Sequence, residues 1–189
     1  MALFRLGEVL SDADERPWIY PHLWSRQRLA TTERIILAPR DRQVSLLSSL
    51  VETMPEPLWL LYVLLVSRSG HVPGRYQSPI PENRQFVRDF LLDFRNFLEQ
   101  DGRHNLWIGS ATSPAMLVWD HHNRIFGYGP VDKWSEMAVA GGLQQCEPER
   151  LHPPSPHSHH YHQELDAEED RILACSEWHR TPLQKQDDE

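Results

Sequence analysis

The chain has 189 residues, a length that points to one domain. It carries 19 Lys+Arg against 27 Asp+Glu, a formal net charge of −8 and a sequence pI near 5.7, which excludes the basic footprint of a general nucleic-acid binder. An apolar fraction of 40% that includes seven tryptophans excludes wholesale disorder.

Residues 1–30 have no clear period. Phe4, Leu6, Val9 and Leu10 fit a short strand or a helical turn, and Pro17 and Pro21 break up an aromatic stretch in which Trp18, Tyr20 and Trp24 form an irregular cover. Residues 34–38 read as a short strand ended by Pro39. Asp41 is placed to cap the next helix, in which Val44, Leu47, Val51 and Met54 share one face until Pro55 and Pro57 stop it. Residues 58–67 are apolar on both alternating faces and read as a central strand buried on both sides. A turn-rich loop containing Arg75 follows.

Over residues 81–100, Phe86, Val87, Phe90, Leu91, Phe94, Phe97 and Leu98 form one stripe at helical spacing. This predicts an amphipathic helix with Pro81 near its start and Asp101-Gly102 past its end. Arg84, Arg88 and Arg95 lie off the stripe, as a solvated flank paired with Asp89 and Asp93. The sharper reading makes them, with Arg75, an anion-binding face.

Residues 104–109 read as a strand, and 115–120 and 124–128 as a hairpin around His121-His122-Asn123, where Asn123 tolerates positive φ. Asp132 or Ser135 is placed to cap a helix through Trp134, Met137 and Val139 that Gly141-Gly142 terminate, and a last strand is expected within 143–151. Residues 152–162 combine three prolines, two serines and five histidines and read as a loop or extended edge chain. Asp166 opens a helix running to about Trp178, with Glu169 in the reciprocal capping position. Residues 184–189 are expected to be a disordered acidic tail. Trp59, Trp107 and Trp119 are expected in the core, and Trp18, Trp24, Trp134 and Trp178 at its edge.

The closely spaced strands between 104 and 128 must be antiparallel neighbours. The order of elements therefore predicts an α+β fold: a mostly antiparallel sheet with helices packed mainly on one face, in a single domain over residues 1–183. No Gly-rich turn follows a strand, so a doubly wound nucleotide fold is excluded.

The N-terminus has no uninterrupted apolar segment of a secretory signal. The longest apolar run, residues 58–66, falls short of the roughly 20 residues a membrane helix needs. Cys146 and Cys175 stand far apart in no CxxC pattern and are expected as free thiols in a reducing cytoplasm.

Charge is uneven along the chain. Residues 1–95 carry a net +1 and residues 96–189 a net −9. Glu164, Asp166, Glu168, Glu169 and Asp170 gather near the C-terminus, either as the solvated start of a helix or as a face for a basic protein partner.

The local chemical signal is histidine. His157, His159, His160 and His162 fall within six residues, after His152. Neutral imidazole is the commonest transition-metal ligand and suits zinc, nickel or copper. In extended chain, His157 and His159 share one face and His160 and His162 the other, so each pair can supply two ligands to an ion completed from elsewhere. Asp120-His121-His122 at the hairpin tip is a second candidate, although strand neighbours point to opposite faces and Asp120 should not orient His121 within the sheet. No nucleophile elbow or activated cysteine is present.

No motif specifies a reaction. The first expectation is a protein-binding protein without catalytic activity or cofactor, whose acidic C-terminal surface neutralises a basic partner as toxin-immunity proteins do, an analogy of charge and size. The alternative is a metal-binding protein or metal-dependent enzyme that uses the clustered histidines with zinc or another transition metal. Geometry separates the two: at least three of His121, His122, His152, His157, His159, His160 and His162 must converge in one pocket for the second. An anion site would need Arg75 and Arg84, Arg88 and Arg95 to border one cavity.

Overall fold

The computed structural model describes residues 3–79 and 82–188. Two strands, β1 (Leu6–Ser11) and β2 (Asp14–Pro17), form an antiparallel pair. Then come β3 (Leu23–Arg28), β4 (Glu33–Ala38), α1 (Gln43–Val51), β5 (Leu58–Leu64) and β6 (Gly74–Gln77). The helices α2 (Arg84–Asp93) and α3 (Arg95–Gln100) lead into β7 (His104–Ser110) and the hairpin of β8 (Met116–Trp119) and β9 (Ile125–Tyr128). The chain closes with α4 (Val131–Ala140), β10 (Gln144–Gln145), β11 (His157–His159), α5 (Asp166–Ala174) and β12 (His179–Thr181).

Among the described residues, nine strands make one sheet in the order β10-β3-β4-β9-β8-β7-β5-β6-β12, antiparallel except for the β10–β3 pair. A smaller sheet has the order β11-β1-β2. The fold is α+β. Alternation along the strands decides what each face does. Ile35 and Leu37 of β4, Leu60 and Tyr62 of β5 and Leu106 and Ile108 of β7 join the main core with residues of all five helices, among them Leu47, Val87, Phe97, Trp134 and Ile172. The helices thus cover one face. Burying a Leu, Val or Phe side chain in this way contributes about 1.5–3 kcal/mol. On the opposite face Ile36 and Ala38 of β4 pack with Tyr20, Leu23 and Leu151 in a small second core, and much of the rest of that face is a cavity.

Gly127 of β9 sets how closely α4 approaches. A Cβ there would lie 2.7 Å from the Trp134 ring and 2.8 Å from Ile35, so only glycine lets the indole lie against the strand. Trp134 is fully buried and donates its indole N–H to Thr53 Oγ1 at 2.8 Å. Its expected place at the core edge is therefore corrected, as is that of Trp24, which is 4% exposed.

Helix starts differ from the expectations. Arg42, in the left-handed region at φ 58, stands at the N-cap of α1, and Asp41 makes no cap; instead the Val44 amide donates to Glu99 Oε1 at 2.9 Å. The 81–100 helix is two helices joined at Phe94, and Asn83 caps the first by accepting from the Phe86 amide at 2.8 Å. Pro81 lies outside the described residues. Neither Asp132 nor Ser135 caps α4, because Pro130 holds the N-cap position. The strand expected within 143–151 is the two-residue β10 followed by a 3-10 turn at Pro148–Leu151. The last helix ends at Ala174, short of Trp178, and Leu165 rather than Asp166 is its N-cap. The segment read as a tail takes a 3-10 turn at Lys185–Asp188, with Asp187 buried and bound to Arg75 at 2.7 Å. Cys146 and Cys175 are free thiols, and no helix among the described residues is long and apolar enough to cross a membrane.

Candidate metal centre

The β8–β9 turn is built by Asp120. Its backbone N–H and C=O bond Arg124 and Asn123, its Oδ1 accepts from the Arg124 amide at 2.8 Å, and its Oδ2 accepts from the Arg124 guanidinium at 2.9 and 2.7 Å. Asn123 takes φ 68, which Asn tolerates better than most residues. From β1's approach, Arg5 locks this turn to the sheet. Its buried guanidinium donates to the carbonyls of Leu98 (2.8 Å), His104 (2.6 Å) and Asp120 (3.0 Å). Removal of that charge from water pushes the Arg5 pKa down to about 10, against the pull of Asp120 and Asp101. Burial works against the Asp120 charge too, but His122 and Arg124 overcome it and hold the carboxyl well below the usual range.

The same turn holds His121 and His122 in the interior, at 5% and 7% exposure. Strand β11 brings His157 and His159 against them. It pairs antiparallel with β1, Leu6 opposite His159 and Glu8 opposite His157, and is tied on by the His160 amide donating to the Arg5 carbonyl at 3.1 Å. Four imidazoles result: ring centroids lie 4.1 Å apart for His121–His122, 4.6 Å for His121–His159, 5.0 Å for both His122–His157 and His122–His159, and 5.2 Å for His157–His159. One ligand atom from each of His121, His122 and His159 lies within 4.8 Å of the other two. His122 Nε2 and His157 Nε2 are 3.2 Å apart. Two nitrogens bound to one tetrahedral ion at about 2.0–2.1 Å stand about 3.3 Å apart.

Hydrogen bonds set the tautomers. Asn105 Nδ2 donates to the Asp187 carbonyl at 2.6 Å, which turns Asn105 Oδ1 toward His121. That oxygen accepts the His121 amide at 2.6 Å and faces Nδ1 at 3.1 Å, so Nδ1 carries the proton and Nε2 the lone pair. His157 Nδ1 donates to the Pro154 carbonyl at 2.8 Å, leaving Nε2 as its lone pair as well. His122 Nδ1 is 3.6 Å from Asp120 Oδ2, beyond hydrogen-bond distance, and 3.4 Å from Arg124 Nη2. His159 Nδ1 is buried with no hydrogen-bond partner among the described residues. Burial first, then His122, pushes the His121 pKa down to about 3, and burial with His122 and His157 pushes His159 down to about 4. Both rings are neutral near pH 7, the form a metal requires.

Leu65, Val66, Tyr161, Leu183 and Gln184 complete a cavity of about 650 Å³ around the four histidines. His121 and Asp187 are shared with the cavity of about 420 Å³ on the helix-free face of the sheet.

The other candidate residues lie elsewhere. His160 and His162 fall on the far side of β11 and stack at 6.1 Å; His160 pairs with Glu15, and His162 Nε2 donates to the Phe4 carbonyl at 2.8 Å. Ser158, His160 and Glu15 meet, but Ser158 donates to Glu15 directly and both approach the same ring nitrogen, so no relay activates the hydroxyl. His152 lines the helix-free cavity. Arg84 and Arg88 pair with Glu52 and Glu56 of the neighbouring α1 end and loop, not with Asp89 and Asp93, and Arg95 pairs with Glu99. Arg75 is tied to Asp187 across the sheet and borders no cavity with them.

The acidic group is largely consumed internally. Buried Glu169 binds Arg103 at 2.6 Å and accepts from Ser67 rather than closing a capping box. Asp166 binds Arg68 and Arg103, Asp170 binds His71, and Glu168 binds Arg171. Glu164 lies exposed in the 3-10 turn before α5.

Sequence reasoning singled out His121, His122, His157 and His159 separately but missed Asn105, a polar residue of β7 on the face of the sheet away from the helices. Comparison with known proteins adds nothing to the site: no family model, no curated protein and no solved structure matches the chain.

Proposed function

We propose that this protein binds one divalent transition-metal ion through His121, His122 and His159, with His157 beside the set and not part of it, and that zinc fits the site. The observation that carries this reading is the convergence of three imidazole ligand atoms within 4.8 Å of one another on the wall of a cavity. An all-imidazole ligand set suits zinc, and three protein ligands with an open fourth position are the arrangement in which bound water is acidified into a nucleophile. The acidic-surface reading has less support, because most of its carboxylates already have cationic partners within the chain.

Untagged protein, stripped with chelator and titrated with Zn²⁺ against a chromophoric competitor, should take up one equivalent. H121A and H159A should each lose it, and the double variant H160A/H162A should retain it. The Co²⁺-loaded form should show the visible bands of a low-coordinate site, and those bands should shift with the ionisation of one bound water near neutral pH. Wild-type protein that dialyses free of metal, or H121A/H159A protein that loads as wild type does, overturns the proposal.

A further inference from the structure

The cavity on the helix-free face has an electrostatic feature that the histidine centre does not explain. Four charged side chains line it: Arg34, Arg124, Asp120 and Asp187. Arg124 is neutralised by Asp120 and Asp187 by Arg75, which stands over the ring of Trp107. Arg34 remains. It makes no ion pair among the described residues: Nε donates to Gln27 Oε1 at 2.7 Å and Nη1 to the Tyr128 hydroxyl at 2.8 Å, both neutral acceptors. Nη2 has no hydrogen bond among the described residues.

Two aromatic rings flank this guanidinium, and Arg124 approaches the Phe126 ring as well. The Arg34 Cζ lies 4.6 Å from the Phe126 centroid and 5.9 Å from that of Tyr128. Arg34 pairs with Tyr128 across β4 and β9, so the sheet register itself fixes the cation beside its stacking partners. A planar guanidinium stacked in this way keeps its edge for a planar acceptor. Trp107 also lines the cavity, and its indole N–H is buried without an acceptor among the described residues. Met116 and Val118 of β8 supply an apolar wall. A volume of about 420 Å³ lies within the usual range for small-molecule sites, about 300–1,000 Å³.

We propose that this cavity binds a small organic carboxylate with a flat apolar body, its carboxylate on Arg34 and its body against Phe126, Trp107 and Val118. One uncompensated cation matches a monoanion and leaves a phosphate dianion half neutralised. The apolar wall gives no reason to favour a free inorganic ion. The site does not depend on the metal reading, although the shared His121 places such a ligand beside the histidine centre.

The test is calorimetric titration of metal-stripped protein with acetate, benzoate, phenylacetate and indole-3-acetate, and with phenylacetamide and inorganic phosphate as controls. At least one aryl carboxylate should saturate with a dissociation constant below about 1 mM. The amide should bind about tenfold or more weaker, because it loses the charge-assisted bond. R34M should lose binding to the same extent while keeping wild-type zinc stoichiometry, and R34K should recover part of it. V118W, which fills the cavity and leaves Arg34 in place, should also abolish binding, and it carries the test if R34M does not fold. Absence of saturable binding by every carboxylate, equal binding of amide and acid, phosphate binding as tight as the aryl acids, or wild-type affinity in V118W overturns the proposal. Every carboxylate titration uses metal-stripped protein and zinc loading is read separately, so failure here leaves the histidine site standing, and failure of zinc loading leaves this cavity standing.

Discussion

Asn105 is a polar residue in β7 that orients the most buried imidazole of the histidine cluster. Its amide is fixed on one side by the Asp187 carbonyl, so its oxygen presents a single acceptor to both the backbone and the ring of His121. Removal of that oxygen frees the ring to rotate and to exchange tautomers. N105A should therefore weaken zinc binding about 10–100-fold without removing a ligand, as loss of such outer partners does elsewhere; competition titration against a chelator reads it. Arg103 shows the same logic used for stability. It is fully buried, bonded to Asp101 through Nε and Nη2 at 2.8 Å each, and to Glu169 through Nη1 at 2.6 Å. E169A strips one carboxylate from a buried charge and should cost about 3 kcal/mol in urea unfolding.

At the scale of elements, the hairpin β8–β9 and strand β11 make the site, and they were legible to different degrees. The Asp120-His121-His122-Asn123 turn announces itself through residues that tolerate turn geometry, and the His/Pro-rich stretch through composition. That the two meet is a matter of pairing β11 with β1, at a separation of more than 140 residues in the register of Leu6 with His159. No local period encodes such a partner. Arg34 and Tyr128 are equally silent in sequence, because each is an ordinary strand residue until β4 and β9 pair. The helix starts were misread for a related reason: Asp41 has the chemistry of a cap, but Glu99 from α3 already takes the amide it would have served. The apolar stripes of the helices were legible, since burial enforces them residue by residue. The packing of α4 is a sharper test of element fit. G127A forces the buried Trp134 ring away from β9 and should destabilise the protein by about 1–3 kcal/mol, measured as a lowered denaturation midpoint with unchanged slope.

At the scale of the whole molecule, polar groups are buried deep in the sheet, and folding becomes linked to protons. His104 is fully buried, stacked on Phe97 at 4.9 Å and beside Tyr62, with neither ring nitrogen hydrogen-bonded among the described residues. Burial first, then Arg5, Arg103 and His121, holds its pKa well below 6.5. Above that value the ring is neutral in both states and contributes no pH dependence. Below it the unfolded chain binds a proton that the native state refuses, so stability falls as pH falls, by about 1.4 kcal/mol per pH unit for this group alone. H104F keeps the stacking and removes the titration. Metal-free wild-type protein should thus lose stability between pH 6.5 and 5 more steeply than H104F, by about one proton in the slope of unfolding free energy against pH.

The C-terminal turn at Lys185–Asp188 has a consequence for how the protein matures. Its Asp187 carbonyl fixes Asn105, and its carboxylate binds Arg75 beside Trp107. A nascent chain that has already made all four cluster histidines still lacks the residue that aims His121. In the proposed site, ion capture at full affinity would therefore wait for the Lys185–Asp188 turn to dock. A variant lacking residues 184–188 should fold its sheet yet hold metal weakly, so the metal content of a preparation would report how many of its molecules have this turn docked.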